Sequence, residues 1–328
     1  MTVMPENAKT VSVIVPVLNE EKIIREFISS LVAQTFPVDM MEWIMIDGGS
    51  SDRTAEVIGE YANEYPLILL HNDGKGTPHS LNMGIMNSTG KYIVRLDAHT
   101  IYPPEYIERC VWYLDNTDAD NVGGSVETVA EGFIGSGIAH MLSSRFGVGG
   151  SEFRTGGSAG IVDTVPFGAF RREVFDRIGL FNEKLLRSED NDINARIRKS
   201  GGKIYLANDI ISEYHCRDTV SGVLRYGVQN GNAVFRTVLS NPKAMSIRHF
   251  IPFLFVLSLL VLPVLGCFSK VFMYLMIAEL MLYVSLDLFY SFLTGSPKKG
   301  LVTVWLFPLF HISYGIGSLL GLLGIELY

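Results

Sequence analysis

Side chains that bind metals and phosphates follow three separate apolar segments of this sequence. They are Asn19 and Glu20 after the first segment, Asp47 at the end of the second, and Asp97 and His99 after the third. An Asp and a His two residues apart on a loop can face the same ion. Because Mg²⁺ and Mn²⁺ accept carboxylate and phosphate oxygens, and Mn²⁺ also accepts imidazole, this set suits a phosphorylated ligand held through a divalent metal.

A second group of acids begins a predicted helix. Glu189, Asp190 and Asp192 lie in the string SEDND, and Ile193 and Ile197 continue it at helical spacing. The positive end of the helix dipole favours an ionised carboxylate at this position. The alternative is that these residues are helix-capping acids on a solvated face.

The elements that must position these residues alternate between strand and helix. The pattern predicts strands over 11–18, 42–47, 67–72 and 91–97, and helices over 22–34, 54–65, 77–87 and 103–116. Strands joined by helices of this length form right-handed crossovers and a parallel sheet. Ligands bind beyond the carboxyl ends of such strands, so we expect the first group of side chains to converge there. Asp52 has a local alternative as a cap of the second helix.

Charge divides the chain into two unlike parts. The net charge is −7 over 328 residues, and the Lys, Arg, Asp and Glu residues after position 249 sum to zero. An acidic soluble part argues against a nucleic-acid partner, which requires a basic patch. The turn after the first strand lacks GxGxxG, which argues against a nicotinamide or flavin. The three scattered cysteines form neither a disulfide framework nor a zinc pattern and fit a reducing compartment.

The C-terminal part predicts a transmembrane region over 250–328. Its three apolar runs are 250–269, 271–294 and 301–325, each about as long as a membrane-spanning helix. The alternative is a buried helical subdomain or re-entrant hairpins, which prolines inside the runs would favour. The predicted organisation is therefore a soluble domain over 1–235, an amphipathic interfacial connection over 236–249, and the transmembrane region.

Positive charge predicts the orientation of this tail. Lys243 and Arg248 precede the first run, and Lys298 and Lys299 separate the second from the third. With no signal peptide preceding it, we expect the soluble domain on the cytoplasmic side of the inner membrane, and the C-terminus on the other side. The segment 219–241 predicts amphipathic helix at the membrane surface, or an ordinary domain helix packed on the sheet.

Six strings in order resemble the family 2 inverting glycosyltransferases of the GT-A fold. The strings are VSVIVPVLNEE, DGGSSD, KGTPHSLNMGI, RLDAH, VPFGAFRREVF and RSEDND, and the resemblance extends over about 10–235. Within the family, the sequence looks like the membrane-anchored glucosyltransferases of the succinoglycan-biosynthesis type. The resemblance implies an α/β fold: a GT-A nucleotide-sugar-binding domain with a mostly parallel central sheet, followed by the helical membrane region.

The resemblance also implies roles for individual residues. Asp190 matches the catalytic base. The positions that match nucleotide-sugar-binding residues are Pro16, Asn19, Glu20, Asp47, Asp52, Lys75 and Asn82. The positions that match the metal site are Asp97, His99 and His215, and those that match acceptor or positioning residues are Gly168, Glu189 and Asp192. Because His99 replaces the usual second Asp of the metal motif, the choice between Mg²⁺ and Mn²⁺ stays open.

The implied reaction moves one sugar from a UDP-sugar to a hydroxyl of a polyprenyl-linked saccharide at the membrane lipid, with inversion, in the synthesis of an exopolysaccharide or cell-surface glycan. The region after the base lacks the QxxRW motif of processive members, which favours a single transfer. One alternative is a synthase that uses polyprenyl phosphate as the acceptor. Another is a non-catalytic nucleotide-binding scaffold of a polysaccharide export complex. The sequence leaves the oligomeric state open.

Overall fold

The computed structural model describes residues 9–73, 76–185, 187–294 and 296–327, and the chain divides into two compact units. The first unit comprises Met1–Glu127 and Gly156–Tyr214, and the second comprises Thr128–Thr155 and His215–Tyr328. The second unit therefore includes two segments, 128–155 and 215–249, that lie outside the predicted transmembrane region.

The strands of the described residues form one sheet. In chain order they are β1 Val11–Val17, β2 Met41–Asp47, β3 Leu67–His71, β4 Tyr92–Arg95, β5 Thr100–Ile101, β6 Asn121–Val129, β7 Gly160–Ile161, β8 Ala169–Arg171 and β9 Ile204–His215. The order across the sheet is β3-β2-β1-β4-β8-β6-β9-β5, with β7 paired to β9. The first four strands are parallel to one another, and β8 joins β4 antiparallel.

The helices in chain order are α1 Ile24–Val32, α2 Thr54–Tyr61, α3 Thr77–Met86, α4 Tyr106–Asn116, α5 Gly132–Leu142, α6 Arg145–Val148, α7 Glu152–Thr155, α8 Arg172–Ile178, α9 Glu189–Lys199, α10 Val220–Ser240, α11 Ile251–Gly266, α12 Lys270–Phe292 and α13 Pro297–Leu322. Short 3₁₀ turns occupy Val38–Met40 and Ile247–His249. The predicted α/β class, a GT-A-like domain with a mostly parallel sheet followed by C-terminal helices, is confirmed.

Apolar periodicity explains how the first unit forms. All residues of β2 are buried, as expected for a parallel strand with both faces covered. Helix α1 buries Ile24, Phe27, Ile28 and Leu31, which recur at the spacing of one helical face. In the register of β1 and β2, Val17 lies opposite Asp47, so both strands end at the same edge of the sheet.

The second unit has its own apolar core. Its buried members are Ile138, Met141, Leu142, Val223, Val302, Leu306, Phe307 and Phe310. Helices α12 and α13, with 23 and 26 residues, are long and apolar enough to cross a membrane. Helix α11 has only 16 residues, which is shorter than the predicted span over 250–269. Among the residues that the structure describes, two candidate membrane helices therefore lie in the region where three spans were predicted.

Helix α10 packs on α13 within the second unit. A Cβ atom added at Gly231 would overlap the backbone of Tyr314, and one added at Gly317 would overlap the backbone of Val228. Small residues on both helices therefore allow the two backbones to approach closely. Both expectations for 219–241, a helix at the membrane surface and a helix packed on the sheet, stay predictions.

Candidate active site

The end of β4 presents Asp97 and His99 in one turn. The N–H of Leu96 donates to the carbonyl of Ile14 at 3.0 Å, which extends the pairing with β1 by one residue. The N–H of Asp97 then donates to the hydroxyl of Tyr102 at 2.9 Å. These bonds hold the Asp97 carboxylate just beyond the strand, where the sequence predicted it.

His99 is oriented by Glu20 from the end of β1. Its Nδ1 lies 3.2 Å from a Glu20 carboxylate oxygen, and its ring meets Tyr214 edge-on at 5.3 Å between centroids. The N–H of Glu20 donates to Thr54 Oγ1 at 2.8 Å, which fixes the loop that carries the carboxylate. Burial lowers the pKa of His99, but the bond to Glu20 and the charges of Asp97 and Glu20 outweigh it, so the pKa is raised.

The residues of this turn fit a divalent metal whose coordination is completed by a diphosphate. If Nδ1 of His99 donates to Glu20, Nε2 becomes the ligand atom, as in metal sites where a carboxylate orients the histidine. Within the described ranges, no group of three or more His, Cys, Asp or Glu is arranged to hold an ion. Asp97 and His99 would supply two ligands and substrate phosphates the others. His215 ends β9 and belongs to the second unit, so its metal role stays a prediction.

Arg95 joins the metal turn to the acids of α9. Its Nη2 lies 3.0 Å from Asp97 Oδ1 and 3.2 Å from Glu189 Oε1, and its Nη1 bonds Asp190 Oδ1. The Arg95 side chain is 5% exposed, so these contacts are largely shielded from solvent. One buried cation therefore sets the relative positions of three carboxylates.

The sequence analysis did not identify Arg95 as a site residue. A usable signal was present, because an Arg inside the buried apolar strand β4 requires an acidic partner. The partner itself could not be deduced, since Asp190 lies 95 positions further along the chain.

Burial shifts the titration of the two acids that begin α9. Desolvation raises the pKa of Glu189 to about 7, with Arg95 opposing it and Asp190 adding to it. Desolvation also raises the pKa of Asp190, against the attraction of Arg95. A carboxylate whose pKa is raised toward neutrality is a better proton acceptor than an ordinary one.

Asp192 has a different environment from Asp190. Its carboxylate accepts a bond from Arg196 Nε at 2.9 Å, and its side chain is 3% exposed. Arg196 also donates to the backbone carbonyls of Ile178, Gly179 and Leu180. Asp192 therefore anchors α9 to the segment after α8, which is a positioning role.

Asn19 and Asp47 shape the two loops that follow β1 and β2. Asn19 has a left-handed backbone with φ of 56°, and its side-chain oxygen accepts the N–H of Ser51 at 2.8 Å. Asp47 is buried, and its carboxylate oxygens accept the N–H of Ser50 at 3.2 and 3.3 Å. The structure thus brings both predicted nucleotide-binding residues to the same edge of the sheet.

Asp52 links the same two loops. Its carboxylate accepts the N–H of Glu21 at 3.1 Å, and the N–H and hydroxyl of Thr54 at 3.0 and 2.6 Å. The bond from the Thr54 hydroxyl lowers the pKa of Asp52 most; desolvation opposes it, and the bonds from the N–H groups of Thr54 and Glu21 add to the lowering. This acid holds the loop in shape, and direct contact with a nucleotide stays a prediction.

Asn82 holds a loop in the first unit. Its amide nitrogen donates to the Phe181 carbonyl at 2.9 Å and to Glu183 Oε1 at 2.8 Å, and its oxygen accepts the Phe181 N–H. The buried amide is therefore used to fix the segment 181–183 beside α3. Lys75, predicted to flank the donor diphosphate, lies outside the described residues.

Gly168 and Pro16 occupy backbone positions next to the site. The Gly168 carbonyl accepts the N–H of Arg95 at 3.0 Å, and a Cβ at this position would overlap the side chain of Asn121. Pro16 lies opposite Ile46 near the end of β1. Gly168 is thus required for close packing behind Arg95, and its predicted part in acceptor positioning remains to be tested.

Comparison of the sequence with known protein families gives a match over about half of the chain. A family model described as glycosyl transferase family 2 matches residues 12–179. The succinoglycan biosynthesis protein ExoA of Rhizobium meliloti is 29% identical over 208 residues, 62% of this chain and 63% of the relative, so the chain spans less than two thirds of that relative. A Methanococcus voltae protein named dolichyl N-acetyl-alpha-D-glucosaminyl phosphate 3-beta-D-2,3-diacetamido-2,3-dideoxy-beta-D-glucuronosyltransferase is 24% identical over 275 residues, 81% of this chain and 84% of the relative.

Two solved structures have a similar fold. The mannosyltransferase PcManGT from Pyrobaculum calidifontis, in complex with GDP-Man and Mn²⁺, gives a TM-score of 0.64 at 17% identity over 98% of this chain and 89% of that one. S. aureus TarS 1-349 in complex with UDP-GlcNAc gives 0.55 at 17% identity over 96% and 92%. At these identities the likeness shows the fold.

Proposed function

Because the chain belongs to glycosyl transferase family 2, we propose that it moves one sugar from a UDP-sugar to a hydroxyl of a lipid-linked saccharide, with inversion at the anomeric carbon. The observation that carries the proposal is the Arg95 contact set, which holds Asp190 at a fixed position relative to Asp97. Sugar transfer requires a base for the acceptor and a binding site for the diphosphate, both next to the same donor sugar. In this proposal Asp190 is the base and Asp97 belongs to the diphosphate site.

The donor would bind along the carboxyl edge of the sheet. Asn19 and Asp47 lie where the nucleoside is expected, and Asp97 with His99 would hold a divalent metal. That ion supplies charge neutralisation to the diphosphate leaving group. Two neighbours support the donor class, since TarS is described with UDP-GlcNAc and PcManGT with a nucleotide sugar and Mn²⁺.

Asp190 would accept the proton of the acceptor hydroxyl as its oxygen attacks the anomeric carbon. The bond to the diphosphate breaks as the new glycosidic bond forms on the opposite face. The carboxylate is 28% exposed, so an acceptor can reach it, and its raised pKa suits proton acceptance. No covalent enzyme intermediate is needed for this displacement.

The acceptor is proposed to be lipid-linked, at the cytoplasmic face of the inner membrane. Support comes from the two apolar C-terminal helices and from relatives that act in succinoglycan biosynthesis and on a dolichyl phosphate-linked sugar. A second candidate acceptor is polyprenyl phosphate itself. A Pectobacterium carotovorum relative named undecaprenyl-phosphate 4-deoxy-4-formamido-L-arabinose transferase, 34% identical over 114 residues, favours keeping it.

The test is donor hydrolysis by the purified full-length protein, screened over nucleotide sugars with Mg²⁺, Mn²⁺ or EDTA. We expect slow release of UDP from one UDP-sugar, lost with EDTA and in Asp97→Ala. Asp190→Asn then distinguishes the two candidate acceptors. The variant should lose transfer to a hydroxyl but keep transfer to polyprenyl phosphate, because a phosphate oxygen is already ionised and needs no base. Absence of hydrolysis for every nucleotide sugar, with a folded protein that binds none of them, would overturn the proposal.

A further inference from the structure

The hairpin of α11 and α12 has an exposed apolar surface on nearly every side. In the most apolar 18-residue stretch of α12 only 6% of the residues are buried, whereas 56% are buried in the corresponding stretch of α13. Exposed side chains run along both helices and their turn, among them Leu260, Val264, Phe268, Leu275, Met281 and Leu282. A continuous apolar surface of this size on a helical hairpin requires an apolar environment.

The N-terminal half of α13 is covered by the segment Thr128–Thr155. A Cβ at Gly137 of α5 would overlap the side chain of Val302, so the two helices pack closely. The ring of Phe146 lies 5.0 Å from that of Phe307, and the Phe146 carbonyl accepts a bond from His311 Nε2 at 2.9 Å. This half of α13 belongs to the core of the second unit.

The C-terminal half of α13 is covered by α10. In addition to Gly317, a Cβ at Gly321 would overlap the backbone of Asn232. Beyond the helix, Asn232 Nδ2 donates to the Ile325 carbonyl at 2.8 Å, and Arg236 forms an ion pair with Glu326. The end of the described chain is therefore tied to α10.

Both covering segments lie on the same side of the bilayer as the first unit, which is called the sugar-transfer domain because it holds Asp97 and Asp190. The segment Thr128–Thr155 leaves and rejoins the first unit by continuous chain, and it is too short for the two crossings of about 20 residues each that a return would need. Helix α10 leads into a stretch that contains Lys243 and Arg248, and Arg248 Nη1 donates to the Gly150 carbonyl at 3.3 Å. A bilayer cannot separate two residues in hydrogen-bond contact.

From these contacts we infer that the α11–α12 hairpin is the element that enters the bilayer, and that α13 does not cross it. The hairpin enters and leaves at the face that carries the sugar-transfer domain, and the C-terminus lies on that face. Lys243 and Arg248 before the hairpin, with Lys298 and Lys299 after it, suit anionic headgroups at the same face. The three-span arrangement places Glu326 across the membrane from Arg236, which their ion pair forbids.

The polar groups that join the helices of the hairpin agree with this assignment. Ser258 Oγ donates to Glu279 Oε1 at 2.7 Å, so the carboxyl on α12 has a partner on α11. The ring of Phe255 stacks on that of Tyr283 at 4.5 Å, and Tyr283 bonds His311 Nδ1 at 2.8 Å. The base of the hairpin is thus joined to α13, and its remaining surface is left for lipid.

The experiment is cysteine labelling in sealed vesicles whose outer face carries the sugar-transfer domain. Single cysteines are placed in a cysteine-free full-length protein by Glu60→Cys as a reference, Ser296→Cys, and Leu327→Cys. A membrane-impermeant maleimide added outside is expected to label all three to the same extent. Labelling of Leu327→Cys only after the vesicles are opened would overturn the inference.

A second measurement is needed because packing of the C-terminus against α10 could itself reduce labelling of Leu327→Cys. The pair Arg236→Cys and Glu326→Cys is treated with a short bis-maleimide, and cross-linking is scored by gel mobility after a protease cut between the two positions. We expect an intramolecular cross-link in membranes, which opposite-side placement would prevent. Because neither readout uses transfer activity, the inference stands or falls separately from the proposed reaction.

Discussion

Asp190 and Asp192 lie two residues apart on α9 but differ in what surrounds their carboxylates. Asp190 contacts the buried Arg95 and is 28% exposed, whereas Asp192 is 3% exposed and is held by Arg196. We predict that Asp190→Asn lowers transfer to a hydroxyl acceptor at least about 100-fold, the usual scale for loss of a general base. Affinity for the UDP-sugar should change little, which calorimetry can measure.

The neighbouring acids serve as controls for that result. Asp192→Asn should act mainly by lowering the melting temperature, because it releases the anchor to Arg196. Asp190→Asn should lower the transfer rate while leaving the affinity for the UDP-sugar unchanged. Neither Asp192→Asn nor Glu189→Gln should show this combination. If Asp192→Asn alone lowers the transfer rate with donor affinity unchanged, the base has been assigned two residues too early in α9.

Arg95 is predicted to be a positioning residue whose loss affects both stability and activity. Arg95→Met leaves Asp97, Glu189 and Asp190 without their shared buried cation. Removing one partner of a buried ionic group costs about 3–5 kcal/mol of unfolding free energy. Urea unfolding checks this, with Arg25→Met as the matched control, since the exposed pair with Glu60 should cost at most about 1 kcal/mol.

Glu189 gives the metal-free protein a pH-dependent stability. Its pKa is raised from 4.5 to about 7 on folding. Folding therefore favours the protonated form, and the associated stability is complete below about pH 4.5 and lost as the pH rises through about 7. Urea unfolding at several pH values should show this decline, and Glu189→Gln should make it shallower. An unchanged slope in the variant would mean that another group titrates.

At the residue scale, the sequence predicts the ends of strands better than the contacts beyond them. Asp47, Asp97 and His99 could be placed because the parallel sheet brings its strand ends to one edge. The coupling of Arg95 to Asp190 could not, because periodicity gives the face of an element and not its distant partner. Asp52 and Asn82 show the same limit, since their side chains are used by loops of the protein.

At the element scale, α10 and α13 depend on glycine for their close approach. A Cβ at Gly231 would overlap the backbone of Tyr314, which cannot rotate away. We predict that Gly231→Ala destabilises the detergent-solubilised protein by about 1–3 kcal/mol, the cost of overpacking. Differential scanning of the melting temperature measures the change.

The matched control for that substitution is Gly59→Ala on α2. Nothing lies within 4 Å of a Cβ at Gly59, so the variant should gain about 0.5–1 kcal/mol from the better helix former. A Gly231→Ala protein that melts at or above the wild-type temperature would contradict the packing of α10 on α13.

Element boundaries follow from local pattern, but element partners do not. The four predicted parallel strands all form, because β-branched and apolar runs bounded by polar turns specify a buried strand. The single helix α10 was predicted as an amphipathic segment, yet its packing on α13 depends on residues about 80 positions away. The same distance explains why the packing partners of the third apolar run, α13, could not be deduced from its composition.

At the scale of the whole molecule, family membership and fold class were accessible from the sequence, because six short strings occur in a fixed order. The division into units was not, since Thr128–Thr155 carries no composition that separates it from its surroundings. It joins the C-terminal helices through side chains such as Ile138 and Phe146. An apolar run therefore identifies a helix without deciding whether lipid or protein covers it.

The hairpin of α11 and α12 should be needed for the lipid acceptor but not for the donor. We predict that the double variant Leu275→Asp and Leu282→Asp loses most membrane association and at least about 10-fold in transfer to a polyprenyl-linked acceptor, because intramembrane carboxylates oppose insertion. UDP release by donor hydrolysis should stay within about twofold of the wild type, since Arg95, Asp97 and Asp190 lie in the other unit. Met86→Asp, an equally exposed apolar position on α3, should leave both rates unchanged. Parallel loss of hydrolysis and lipid transfer in the double variant would show instead that the helical unit is required for the sugar-transfer domain to fold.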